Sequence, residues 1–340
     1  MKAVLIRRHG GPEVVEVADI PKPRPGPCEA LLQVKAAGMN HLDTWIRRGL
    51  PGVKLPMILG SDGAGIVAEV SSGVGGLAQG DRVFVAPGFS CGRCAACYRG
   101  EETLCRGYGM FGENRDGVQA EYAALPAANL LPLPASLSFE EGAAFPLVFL
   151  TAWHMLVARA GLRLGDEVLV HAGGSGVGSA AVQIAKLHGA RVYATVGSDE
   201  KADKVRALGA DAAINYRTVD FLEEVRRLTG KRGVDIVFEN VGQETWEKSL
   251  KALARGGRMV TCGATSGYEG RTDIRYVFSK GLSILGSTMG GRAELLTIAG
   301  LVAERRLRPI IDRVLPLERV AEGHRAMADR TLFGKIVLTP

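Results

Sequence analysis

Short apolar runs of β type recur through the first part of the chain: Ala3 to Ile6, Ala30 to Ala36, Gly65 to Val70, Arg82 to Ala86 and Gln119 to Ala124. Glycine and proline clusters separate them, which predicts an all-β region over residues 1 to about 147. From about residue 150 the pattern changes. Short apolar strands now alternate with longer amphipathic segments: Glu167 to His171 then Val177 to His188, and Arg191 to Val196 then Glu200 to Leu208. The alternation continues through Val234 to Glu239, Thr245 to Ala254, Gly257 to Cys262 and Leu282 to Leu285. Strand and helix in alternation predict an α/β fold with a doubly wound parallel sheet. Beyond about residue 289, Arg292 to Arg305 and Leu317 to Met327 read as helices, and Ile310 to Leu315 and Lys335 to Leu338 as strands. The pattern alone leaves open whether this tail closes the second region or returns to the first.

With 340 residues, 46% of them hydrophobic, the chain is long enough for two domains with sizeable cores. Its formal charge of +6 is spread without a basic block or interleaved aromatic residues, so it suits an anionic small-molecule cofactor better than nucleic acid. The opening MKAVLIRRHGGPEVVEV has too short an apolar run for a secretory signal, and no uninterrupted apolar stretch reaches membrane-spanning length. A cytoplasmic location is expected.

Four of the six cysteines, Cys91, Cys94, Cys97 and Cys105, crowd into fifteen residues of a polar, glycine-containing loop. Residues three apart rarely suit mutual disulfide bonding, whereas four thiolates close a tetrahedral shell around one Zn²⁺ and leave no position for water or substrate. One structural zinc per chain is expected, holding a loop. Cys28 and Cys262 stand alone, which gives no disulfide framework and suits a reducing compartment.

The strand EVLVHA runs into GGSGVGSAAVQIAK, so that Gly173, Gly174, Ser175, Gly176, Val177 and Gly178 form a turn between a strand and a helix. Crowded glycines let backbone N–H groups and the positive end of a helix approach a pyrophosphate. Ser175 stands where the second fingerprint glycine usually does, which assigns the close approach to Gly176. The next strand, RVYATV, ends in Gly197 and Ser198 with Lys201 one turn on, and no acidic residue stands at the strand end to grip a ribose. NADP(H) is therefore expected over NAD(H), although Asp199 and Glu200 are near enough to reach a hydroxyl. Asn240, Val241 and Gly242, Cys262 and Gly263, and Ser287 and Thr288 follow later strands, at the sheet edge that receives ligands in such folds.

The segments PKPRPGPCEALLQVKAAGMNHLD, LGSDGAGIVAEV, GDRV, CGRCAACYRGEETLC, LTAWHML, HAGGSGVGSAAVQIAK, ALGADAAINY and GGRMV together resemble the medium-chain dehydrogenase/reductase superfamily, nearest its quinone oxidoreductase-like members. The resemblance implies a GroES-like β-rich catalytic domain over residues 1–147 with a structural zinc lobe near 91–105. It also implies a Rossmann cofactor domain over 148–288 and a return segment over 289–340 that completes the catalytic domain. A homodimer or homotetramer follows from it, to go with the absence of nucleic-acid and membrane partners expected from charge and apolar-run length, and Tyr216 joins Ser198 and Lys201 near the adenosine phosphate.

Zinc alcohol dehydrogenases of the superfamily hold a second, catalytic zinc. At the matching positions this chain has Asn40, Ser61, Asp62 and Leu147, a set that lacks both thiolate and imidazole. GMNHLDTWIRRGL instead resembles the corresponding segment of zinc-independent quinone and enone reductases. That resemblance implies metal-free reduction of a quinone or α,β-unsaturated carbonyl, with Asn40, Asp43 and Asp62 as candidate catalytic residues. Asn40 is either a donor to the substrate oxygen or a turn-stabilising residue. Asp43 either orients it or bonds backbone, and Asp62 is a supporting group. Trp45, Phe149 and Trp153 line either the substrate cleft or the core. An alcohol dehydrogenase with an altered metal site and a non-catalytic nucleotide-binding redox sensor are the alternatives.

Overall fold

The computed structural model describes residues Met1–Pro340 and divides them into two units, Met1–Leu147 with Gly291–Pro340, and Val148–Gly290. In the first unit the alternating runs become a largely antiparallel sheet. Its order is Leu130–Pro132, Arg82–Val85, Asp62–Val70, Glu29–Gly38, Lys335–Thr339 and Ile311–Pro316, with Tyr122–Pro126 also pairing to Glu29–Gly38. Both tail strands thus lie in the sheet of the first segment. Register then places chemistry. Val337 pairs antiparallel with Gly38, and Gly38 with Asp62 on its other side, so the ends of three adjacent strands bring Lys335, Asn40 and Asp62 into one neighbourhood.

The expectation of an all-β first region is corrected by helices at His41–Arg48 and Phe139–Ala144, with a short one at Ala95–Tyr98. The first buries Ile46 against Val4, Met57 and Leu59, because its apolar residues Leu42 and Ile46 recur at a helical spacing that the flanking turn residues disguise. Ser138 caps the second by accepting the Glu141 N–H.

In the second unit six strands form an entirely parallel sheet in the order Ala212–Asn215, Arg191–Val196, Glu167–Val170, Val234–Glu239, Leu253–Thr261 and Ser283–Gly286. In chain order this is 3-2-1-4-5-6, the doubly wound arrangement whose ligand crevice opens at the carboxyl ends of strands one and four. Leu169, Tyr193, Val237, Leu250 and Met259 pack its core. Strand Ala212–Asn215 and the helices Phe221–Leu228 and Ile274–Lys280 supplement the elements read from sequence. Phe149 is fully buried, so of its two readings the core one holds. No helix is long and apolar enough to cross a membrane.

Candidate functional site

The sulfurs of Cys91, Cys94, Cys97 and Cys105 all lie within 4.8 Å of one another, with Cys94–Cys97 at 3.5 Å and Cys91–Cys97 at 3.9 Å. Four ligands at zinc–sulfur distance from one ion stand about 3.8 Å apart, so this donor set fits the metal. Short strands Gly88–Phe89 and Gly109–Met110 pair at the base of the loop, and the Gly107 N–H donates to the Cys105 sulfur at 3.3 Å. Bonding with Ser90 leads the influences that bring the Cys97 thiol down to about 6, which favours the thiolate a metal needs.

At the crevice of the second unit, Ser175 is the N-cap of helix Gly176–Leu187 and its hydroxyl accepts the Gly178 N–H at 3.0 Å. The serine that departs from the fingerprint therefore serves the helix terminus. A Cβ on Gly178 would stand 2.1 Å from the Ala172 carbonyl oxygen, so the turn closes only around glycine. Ala172 itself has φ +51°, a left-handed conformation that costs a non-glycine residue about 1–2 kcal/mol. Across the crevice the Asn240 Oδ1 and Ser287 Oγ atoms are buried without a partner, at the ends of strands four and six. Unpaired buried polar atoms at the carboxyl ends of the same parallel sheet fit a polar ligand such as the nicotinamide dinucleotide. Val241 and Gly242 turn their N–H groups back to the Glu239 carboxylate, at 2.7 and 3.0 Å. Cys262 is pushed up to about 12 by burial and then by the charge of Glu239, so its thiol stays protonated; Gly263 and Thr288 follow the same strand ends.

At the end of the second strand Ser198 caps helix Asp199–Ala207, accepting the Lys201 N–H at 3.3 Å. Tyr216 borders Gly197 so closely that a Cβ there would meet its hydroxyl at 2.7 Å, and Arg217 stands next to it. Arg217 was not read from the sequence, since it follows the short strand that went unassigned. The two acids that complicated cofactor choice are both engaged: Asp199 accepts from Asn215 at 2.8 Å, and Glu200 pairs with Lys204 at 2.6 Å.

In the first unit Asn40, Asp43 and Asp62 are all buried, and Lys335, absent from the sequence reading, joins them. The Lys335 ammonium donates to Asn40 Oδ1 at 2.5 Å and to Asp62 Oδ2 at 3.1 Å, while Asn40 Nδ2 donates to Asp62 Oδ2 at 2.9 Å. Charge fixes the amide: its oxygen faces the cation and its nitrogen the carboxylate, leaving one N–H proton over. The other Asp62 oxygen accepts the Leu147 N–H at 2.9 Å, and Ser61 donates to the Phe111 carbonyl at 2.8 Å. The positions that match a catalytic zinc site are thus satisfied by one another and by an ammonium group, and they do not fit a divalent ion.

Asp43 takes a backbone part. Its carboxylate accepts the Asn40 N–H at 2.8 Å and the Gln119 side-chain amide at 3.1 Å. Burial pushes its carboxyl up to about 6. The folded state then binds the proton more tightly than the unfolded one, so this contribution to stability is complete below about pH 4 and is lost as pH rises through 6. Unfolding in urea across pH 4 to 7 should show a decline of roughly 2–3 kcal/mol from this group, which Asp43→Asn flattens. An unchanged slope in that variant would remove Asp43 as its source.

A glycine turn and strand-end cradle on a 3-2-1-4-5-6 sheet, with a separate buried polar cluster on a β-rich unit, define a nucleotide-dependent oxidoreductase. The family models agree: residues 26–135 match the alcohol dehydrogenase GroES-like domain and residues 176–304 the zinc-binding dehydrogenase domain. The chain belongs to the medium-chain dehydrogenase/reductase superfamily and is a quinone oxidoreductase-like, NAD(P)-dependent member. It is 34% identical to acryloyl-coenzyme A reductase of Metallosphaera sedula, with 100% of both chains covered. It is 32% identical to quinone oxidoreductase of Rattus norvegicus, over 99% of this chain and 97% of that one. A solved NAD-dependent alcohol dehydrogenase superposes with a TM-score of 0.96 at 53% identity, covering both chains fully.

Proposed function

We propose that this protein reduces a quinone or an α,β-unsaturated carbonyl compound with NADPH and without a catalytic metal. The carrying observation is the closed cluster of Lys335, Asn40 and Asp62. Bound NADPH supplies the hydride. Asn40 offers its remaining amide N–H as a hydrogen bond to the carbonyl or quinone oxygen, where negative charge builds as the conjugated carbon is reduced, and solvent supplies the proton that completes the product. Lys335 and Asp62 hold that amide in one orientation, and Asp43 anchors the backbone N–H beneath it. The relatives named for quinones and acryloyl-coenzyme A support conjugated acceptors.

The structural relative named an alcohol dehydrogenase favours the rival reading. Elemental analysis should find one zinc per chain, and purified protein should oxidise NADPH steadily with quinones or enals. Two zinc ions per chain, with alcohol oxidation lost to a chelator and restored by zinc, would establish the rival. Tight cofactor binding with no turnover on either substrate panel would make the protein a sensor.

Preference for NADPH is supported by the engaged acids Asp199 and Glu200 and by the cations Lys201 and Arg217 near Ser198 and Tyr216. Lys201→Glu and Arg217→Glu should each raise the KM for NADPH about tenfold or more while leaving NADH within about twofold, since a phosphate loses a charge-assisted contact. Equal effects on both cofactors would refute the assignment. Self-association as a dimer or tetramer is supported by the outermost strand Ser283–Gly286, which pairs on one side only, and by the exposed Ile274 and Phe278 nearby in sequence. A monomer mass in sedimentation at micromolar concentration would count against it.

A further inference from the structure

We infer that Glu239 is a positioning residue that locks together, through Ser249, His171 and Thr195, the two backbone segments on which the cofactor rests. The inference depends on the siting of the cofactor at the glycine turn. Glu239 ends strand four and His171 follows strand one, the neighbours that flank the crevice. Glu239 is fully buried and receives N–H groups from Val241 and Gly242, the Thr245 hydroxyl and the Ser249 hydroxyl, the last at 2.8 Å to Oε2. Four donors face it, as an ionised carboxylate requires.

That carboxylate sets the direction of every bond beyond it. Because Ser249 donates to Glu239, its oxygen accepts from His171 Nε2 at 2.9 Å. The imidazole therefore carries its proton on Nε2, and its bare Nδ1 accepts from the Thr195 hydroxyl at 3.2 Å. The Thr195 oxygen is left to accept the Ala172 N–H at 3.1 Å. The relay thus ends on the residue held at φ +51° at the head of the phosphate-binding turn. Its other end holds the loop of Asn240, Val241 and Gly242. Phe221 closes the His171 ring edge-on, with centroids 4.8 Å apart, and His171 is buried. One carboxylate fixes both cofactor-bearing segments, as well as the tautomer of the histidine that links them.

Glu239→Gln tests this with little change of shape. Its carboxamide oxygen can still take the Val241 and Gly242 N–H groups, but its nitrogen must donate to Ser249. Ser249 then donates to His171, and the imidazole proton moves to Nδ1. Nitrogen-15 NMR should show an Nε2–H tautomer in the wild type and Nδ1–H in Glu239→Gln. The Kd for NADPH, measured by fluorescence without substrate, should rise about tenfold, with kcat at saturating cofactor within about twofold. Ser249→Ala keeps the loop bonds of Glu239 while cutting the relay, and should raise Kd about threefold; it also serves if Glu239→Gln fails to fold. An unchanged tautomer in Glu239→Gln, or unchanged Kd in both variants, would overturn the inference. Gly178→Ala measured alongside separates the two failures, since unchanged affinity there refutes the cofactor siting itself.

Discussion

Lys335→Met should destabilise the fold by about 3–5 kcal/mol, the range for removing one partner of a buried ion pair. Lys335 is 4% exposed and Asp62 fully buried, so no solvent compensates the carboxylate once the ammonium is gone. The unfolding midpoint in denaturant should fall accordingly. Asp62→Asn in the same chain should restore much of the loss, because the penalty is the stranded charge and not the missing contact. Turnover separates a structural part from a positioning one. In the double variant, folded but without the charges that orient Asn40, kcat for an enone should stay down by about tenfold or more while the Kd for NADPH is unchanged. Recovery of kcat together with stability would show that the charges serve only the fold.

Gly178→Ala is the second large effect. The added Cβ would sit 2.1 Å from the Ala172 carbonyl oxygen, which is backbone and cannot swing aside. Either the helix start or the strained Ala172 must move, and both belong to the turn that faces the crevice. The affinity for NADPH should drop at least about thirtyfold, with stability lower by about 1–3 kcal/mol, the usual penalty of overpacking. Fluorescence titration and thermal unfolding would measure the two. Retained affinity would place the anion site away from this turn.

Local features of the fold were readable where pattern and chemistry coincide. The cysteine lobe and the glycine turn each carry their meaning within twenty residues, and strands Arg191–Val196 and Val234–Glu239 were delimited to the residue. Helix His41–Arg48 was hidden because its first turn reads as a loop: Asn40 precedes it and Asp43 folds back on the Asn40 N–H. Strand Leu253–Thr261 includes Arg255, Gly256 and Gly257, a turn-like string that remains an unpaired bulge, since Val234 pairs with Leu253 and Ile236 next with Arg258. Lys335 had no signal at all. A lysine opening an apolar strand ordinarily points to water, and only the register against Glu29–Gly38 turns it inward, 273 residues from Asp62. His171 and Glu239 looked like polar strand ends; their partnership depends on which strands are neighbours.

That separation of 273 residues orders the birth of the protein on the ribosome. Asn40 and Asp62 emerge early, and the ammonium that neutralises Asp62 emerges only after all of Val148–Gly290 has been made. The nucleotide-binding unit is contiguous and can fold while the chain is still growing. The first unit must wait, with a carboxylate it cannot yet bury, so its sheet closes last and the nascent chain carries an open β edge until the final strand arrives.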